Sequence, residues 1–216
     1  NNCIARDTVN VTVNPNPVIQ FTSIPDQCLS NSPLTLNAAT PPGGTYSGPG
    51  VTGSTFSPSA AGVGTHTITY SVTNQYGCSS SATTTIVVNP NPVVNAGGDV
   101  AFCSGSNATL GSPSVNGQTY NWTPSSGLSS GTLSNPTVTL NNSGSTPQSH
   151  QYVVTATLNG CIARDTVSVV VNPNPAIQFG ALQPICSAAS PLVLNSATPS
   201  GGTYSGAGVS NGQFDP

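Results

Sequence analysis

Two stretches of the chain carry apolar residues with a period of two. Ile68, Tyr70 and Val72 alternate with Thr69 and Ser71, and Val167, Val169 and Val171 fall on one strand face. Successive side chains of an extended strand point to opposite faces, so this period predicts strands with one buried face. The same reading places strands over residues 34–36, 66–72, 83–88, 108–110, 120–122, 137–140 and 152–156. Clusters of Gly, Pro, Asn and Ser separate them, and no run of helix-forming residues intervenes. Several short strands within about 80 residues predict an all-β fold built as two-sheet antiparallel β-sandwiches.

The pattern is repeated. The string CIARDTV begins at Cys3 and again at Cys161, an offset of 158 that also maps NPNP at Asn14 onto Asn172, Cys28 onto Cys186 and GGTYSG at Gly43 onto Gly201. Aligned without gaps, residues 1–58 match residues 159–216 at 36 of 58 positions. A fixed period of this kind is the signature of a tandem array. Inside it lies a weaker offset of 83, relating the Gly-Cys, Val-rich strand and NPNP that begin at Gly77 to those that begin at Gly160. The period therefore holds two unlike modules. Residues 1–16 are expected to be the C-terminal strand of a truncated B-type module, 17–91 a module A, 92–174 a module B, and 175–216 the N-terminal half of a truncated A-type module. The boundaries fall on NPNP, where each Pro fixes its own φ and pushes the preceding Asn into extended geometry, a stiff connector suited to a rod.

Composition narrows the function. Gly (23) and Pro (20) make up a fifth of the chain, Met is absent, and the ionisable acids are five Asp against two Arg, with no Lys or Glu. Nucleic-acid binding needs clustered cations, and Arg6 and Arg164 stand 158 residues apart, so no nucleic-acid partner is expected. The same count removes a polybasic membrane patch. There is no apolar run that would insert into a membrane, and no signal peptide, although a chain that starts in mid-repeat carries no information about export. Without Lys, amide crosslinks of Lys to Asn or Asp cannot form.

Six cysteines in such a chain point to an oxidising, extracellular compartment. One lies near the start and one near the end of each module, so Cys28 is expected to pair with Cys78 and Cys103 with Cys161, each staple sitting at one end of its sandwich. Cys3 and Cys186 are expected to be left unpaired by truncation.

AGGDVAFCSGSNATLG from Ala96, YNWTPSSGLSSGTLSNPTVT from Tyr120 and GCIARDTVSVVV from Gly160 give module B a likeness to known repeats: it resembles the PKD-like and Ig-like repeats of very long Bacteroidetes surface proteins. Module A, with GGTYSGPGVTGSTFSP from Gly43 and GTHTITYSVTNQYGCSSSATTTIVV from Gly64, resembles the companion Ig-like repeat. This likeness implies tandem Ig-like and PKD-like sandwiches in an extended array, export by the type IX secretion system, attachment to the cell surface and roles like those of gliding adhesins.

Candidate chemistry is sparse. His66 and His150 occupy equivalent places, one per module, and neither has a second ligand at metal spacing. No catalytic residue, metal site or cofactor is expected, since the carboxylates stand far apart in sequence and Asp26 and Asp99 each stand alone. GGTYSG at Gly43 reads as a tight turn with Gly43 and Gly44 at positive φ. Asp7-Thr8-Val9 and Asp165-Thr166-Val167 resemble the O-glycosylation signal of secreted Bacteroidetes proteins, which makes Thr8 and Thr166 candidate glycan carriers; the plainer reading is that Asp and Thr begin the last strand. Asn10, Asn107, Asn121 and Asn141 begin Asn-x-Ser/Thr sequons. Trp122, the single Trp, shares a strand face with Tyr120, which favours core packing over sugar stacking. The function expected is a non-enzymatic repeat segment of a cell-surface adhesin or extracellular filament, contacting neighbouring repeats, with surface polysaccharide or copies of itself as further partners. Two alternatives are a carbohydrate-binding accessory array of a secreted enzyme and a fibre assembled through exposed edge strands.

Overall fold

A computed structural model describes residues 3–216. Residues 17–91 carry β1 (Gln20–Phe21), β2 (Gln27–Cys28), β3 (Leu34–Thr35), β4 (Ala39–Thr40), β5 (Thr45–Ser47), β6 (Val51–Thr52), β7 (Thr55–Phe56), the short helix α1 (Pro58–Ala61), β8 (Gly64–Thr73) and β9 (Ser79–Asn89). Residues 92–174 carry β10 (Val100–Cys103), β11 (Asn107–Thr109), β12 (Thr119–Thr123), β13 (Thr137–Thr139), β14 (Gln148–Leu158) and β15 (Cys161–Asn172). Five short strands follow: β16 (Gln178–Phe179), β17 (Leu192–Val193), β18 (Ala197–Thr198), β19 (Val209–Ser210) and β20 (Gln213–Phe214). Every strand pairing among the described residues lies within 20–89, 100–172 or 178–214.

In each of the two larger units a long antiparallel hairpin forms the backbone of one sheet. The order β2-β9-β8-β5 faces β3-β7-β6 and the ribbon β1-β4, and the order β10-β15-β14-β12 faces β11-β13. The alternation seen in the sequence holds along these hairpins: Ile68, Tyr70 and Val72 of β8 are buried while Thr67, Thr69 and Ser71 are not. The first core gathers Phe56, Ile68, Ile86 and Val88; the second gathers Leu110, Trp122, Val138, Tyr152, Val167 and Val169. Sheet on sheet over an apolar layer is the arrangement of Ig-like sandwiches, and the fold is all-β, a tandem of such units.

Three features differ from the sequence reading. The sheets are not purely antiparallel: β2 pairs in parallel with the end of β9, and β10 with the end of β15. The hairpin strands run longer than the apolar alternation, since polar Ser and Thr continue the ladder of Gly64–Thr73 and Ser79–Asn89 toward the turn. GGTYSG is not only a turn: Thr45–Ser47 is an edge strand on β8, with positive φ at Gly43 and Gly48 but not at Gly44. Gly44 serves close approach instead, because a Cβ there would lie 2.5 Å from the ring of Tyr70.

Strands β16 to β20 repeat β1, β3, β4, β6 and β7 at an offset of 158. Cys186, the counterpart of Cys28, lies in no strand and is exposed. The strand that pairs with Cys28 is β9, and residues 175–216 contain no counterpart of it. A two-residue strand exists only by its partner's hydrogen bonds, which accounts for the difference.

Candidate functional site: the joint between consecutive sandwiches

The most informative side chains collect where the first sandwich passes into the second. Cys28 and Cys161 form a disulfide, with Cα atoms 5.6 Å apart and 133 residues between them in sequence. Cys28 belongs to the first sandwich and Cys161 to the second, so the bond crosses the Asn89–Pro92 connector. Cys78 and Cys103 are free, as are Cys3 and Cys186.

The expected pairs Cys28–Cys78 and Cys103–Cys161 are therefore corrected. The parallel pairing of β2 sets Cys28 opposite Asn89, at the outgoing end of β9, whereas Cys78 precedes the other end of that strand. Eleven residues of strand at about 3.3 Å each keep the two roughly 36 Å apart. Cys103 lies opposite Asn172 while Cys161 begins the same twelve-residue strand, so that pair is kept apart for the same reason.

Polar contacts hold the connector from both sides. Asn91 accepts hydrogen bonds from the Ser30 hydroxyl at 2.9 Å and the Ser30 N–H at 3.3 Å. Pro92 is buried. Beyond it, the Gln118 amide, oriented to satisfy both groups, donates to the Val93 carbonyl at 2.8 Å and accepts from the Val93 N–H at 3.0 Å. Asp165 Oδ2 accepts from the N–H of buried Ala96 at 2.8 Å. Asn91 falls within the repeated NPNP and Asp165 within the repeated Asp-Thr-Val, whereas Gln118 carries no sequence signal.

Equivalent parts recur at the neighbouring joints. Asn74 accepts the N–H groups of Tyr76 and Cys78, both at 3.0 Å, and donates to the Pro15 carbonyl at 2.9 Å, so the β8–β9 turn grips the incoming NPNP. The Cys78 thiol lies 3.7 Å from the Asn14 carbonyl oxygen. At the other end of the second sandwich, Asn174 donates to the Ser104 carbonyl at 3.3 Å. Nearby Asn142 is a buried polar residue whose amide donates to Thr146 and Val171 carbonyls at 2.8 Å each and accepts from the Gly144 N–H at 2.9 Å.

The remaining candidates are dispersed. Trp122 is 2 % exposed and donates from Nε1 to the Leu133 carbonyl at 2.8 Å, so it offers no face for a sugar to stack on. Thr8 and Thr166 are exposed, as are Asn10, Asn107, Asn121 and Asn141. Asp165 also accepts the Thr166 N–H at 2.8 Å, and Asp7 treats Thr8 identically. His66 and His150 sit at matching register, opposite Ile86 and Val169, three residues before the end of their partner strands. His66 Nε2 meets the Gly62 carbonyl at 2.8 Å, whereas buried His150 Nε2 has no partner. Among the described residues no three His, Cys, Asp or Glu side chains gather as a metal set. No helix there is long and apolar enough to cross a membrane.

Agreement with an Ig-like repeat comes from one family model over the first part of the chain. The family model described as bacterial Ig domain matches residues 1–87. No curated protein sequence matches the chain. Among solved structures, extracellular domains 3-5 of Drosophila OTK align at 14 % identity over 72 % of this chain, with TM-score 0.38, and the chain spans 62 % of that fragment. Titin domains z1z2 in complex with telethonin align at 15 % identity over 74 % of this chain and 100 % of theirs, with TM-score 0.28. A Bacteroides ovatus SGBP-B in complex with a mixed-linkage heptasaccharide aligns at 15 % identity over 72 % of this chain and 48 % of its own, with TM-score 0.26.

Proposed function

We propose that the chain is a repeat segment of a secreted bacterial cell-surface adhesin or extracellular filament, a non-enzymatic stalk that presents adhesive surfaces away from the cell. The observation that carries this reading is the Cys28–Cys161 disulfide, which ties one sandwich to the next instead of closing a single domain. A joint with two covalent connections, the proline connector and the disulfide, resists bending and twisting far better than one, and resistance to bending is what a stalk needs. A bond of this kind also persists only in an oxidising compartment, which supports an extracellular location. With two Arg and five Asp in 216 residues, the contacts such a stalk makes are nearly independent of ionic strength. Its partners on this reading are neighbouring repeats, surface polysaccharide or copies of itself. Exposed Thr8 and Thr166 are positions where a glycan could be attached.

The test compares the shape of the oxidised and reduced chain by small-angle scattering, alongside adhesion of cells bearing the protein from low to high salt. The oxidised chain should scatter as one fixed arrangement of the two sandwiches and the reduced chain as a broader distribution, with adhesion little changed by salt. Identical scattering in both states, together with a steep loss of adhesion in salt, would overturn the proposal.

A further inference from the structure

Cys78 and Cys103 are free thiols, yet each occupies the same structural position as a half of the disulfide at the central joint. Cys103 matches Cys28. Both end a short strand that pairs in parallel with the last strand of their sandwich, opposite Asn172 and Asn89 respectively. In both, the next residue's N–H donates to that Asn carbonyl, Ser104 at 2.8 Å and Leu29 at 2.9 Å, and a turn closes back on the Cys carbonyl at 2.9 Å. Cys78 matches Cys161. Each follows a hairpin-turn glycine, Gly77 with φ 81° and Gly160 with φ 80°, and each lies eleven residues before the Asn that opens the outgoing NPNP.

The joints then fall into two kinds. Where A passes into B, Cys28 and Cys161 meet. Where B passes into A, the part facing forward is Cys103, beside the connector at Asn172, and the part facing back is Cys78, whose thiol rests 3.7 Å from the Asn14 carbonyl on the incoming connector. The repeat gives both kinds of joint the same spacing. A cysteine one 158-residue period beyond Cys78 lies 133 residues after Cys103, the same separation that joins Cys28 to Cys161.

We propose that Cys78 and Cys103 are the two halves of a second inter-module disulfide, each closing with its counterpart in the adjacent repeat of the same chain, so that both kinds of joint are covalently locked. This rests on the tandem-array part of the function proposed above and not on its adhesive part. The reaction is thiol–disulfide exchange with a disulfide oxidant, a protein or small molecule of that class. One thiolate attacks the oxidant's S–S bond to give a mixed disulfide, and the second displaces the oxidant's remaining sulfur. The new S–S bond forms as the oxidant's S–S bond is reduced to two thiols, which take up the two protons released.

The test is a disulfide map of the native secreted protein, alkylated with a maleimide under denaturing conditions without reductant. Digestion with pepsin at low pH suits a chain with two Arg and no Lys and suppresses exchange. Peptides spanning Cys103 should emerge linked to peptides spanning Cys78, with neither carrying the maleimide, and on a non-reducing gel the protein should run at its single-chain size. Maleimide-labelled Cys78 and Cys103 peptides, or linkage only in a species that reduction converts to smaller chains, would overturn the inference. If the Cys28–Cys161 linkage is found without the other, the second staple fails and the stalk reading stands; if neither is found, the stapled stalk fails as well.

Discussion

Asp165 Oδ2 accepts a hydrogen bond from the backbone N–H of Ala96 at 2.8 Å, joining the middle of β15 to the segment that enters the second sandwich. Ala96 is fully buried, so without Asp165 its N–H would lose its partner inside the protein. An orphaned buried donor costs about 1–3 kcal/mol. Asp165→Ala is expected to lower the stability of the second sandwich by that amount in urea unfolding, while Asp165→Asn, whose amide oxygen can still accept, loses less. Equal loss in both variants would show that the bond itself is not responsible.

The Cys28–Cys161 bond predicts a specific thiol count for this chain. In the 216-residue segment taken alone, without the adjacent repeats that would pair with Cys78 and Cys103, those two thiols together with Cys3 and Cys186 are free, and a thiol reagent applied to the denatured, unreduced segment should titrate these four and no more. Cys28→Ser should raise the count by one, exposing Cys161, and Cys78→Ser should lower it by one. Closing a loop of 133 residues restricts the unfolded chain by about 5 kcal/mol in the chain-entropy model. Reduction should therefore lower resistance to urea by up to that amount, with the two sandwiches then unfolding separately.

Why the pairing was not legible, while the hairpins were, follows from lengths. Ile68, Tyr70 and Val72 extend over enough residues for alternation to register, whereas Gln27–Cys28 is two residues long and has no period. Its parallel pairing to Val88 and Asn89 is a tertiary fact. Position near the start and near the end of a module suggested that Cys28 and Cys78 are neighbours. A strand that runs the full length of the sandwich from Cys78 to Asn89 makes them opposite ends. The clue present in the sequence was the equal spacing of eleven residues from Cys78 to Asn89 and from Cys161 to Asn172, a whole strand in each case. Asn74 and Asn142 were hidden for another reason: in a chain this rich in Asn, composition does not distinguish an amide that holds backbone elsewhere in the fold from one in solvent.

Trp122 was legible as a core residue because Tyr120 shares its face, and its burial sets a clear expectation. Trp122→Ala should cost about 3–5 kcal/mol, the range for removing a large buried aromatic side chain. Trp122→Phe keeps much of the apolar area but leaves the Leu133 carbonyl without its donor, and about 1–3 kcal/mol is expected. Were either variant to abolish binding to a glycan at unchanged stability, the indole would have to be a contact surface, contrary to its packing.

Tyr152 contributes to the loss of stability of the second sandwich at alkaline pH. Its ring is 1 % exposed and its hydroxyl donates to the Ser126 carbonyl at 2.7 Å. Burial disfavours the phenolate and raises the pKa above the ordinary value of 10.0. The unfolded chain, titrating at the ordinary value, then binds fewer protons than the folded one once the pH passes 10, and stability falls with rising pH. Below that point the tyrosine is neutral in both states and its contribution is constant. Urea midpoints should therefore be flat through neutral pH and decline above about pH 10. In Tyr152→Phe, which loses the Ser126 bond but cannot ionise, the neutral-pH midpoint should be lower and the alkaline decline shallower. An undiminished decline in that variant would assign the effect to other tyrosines.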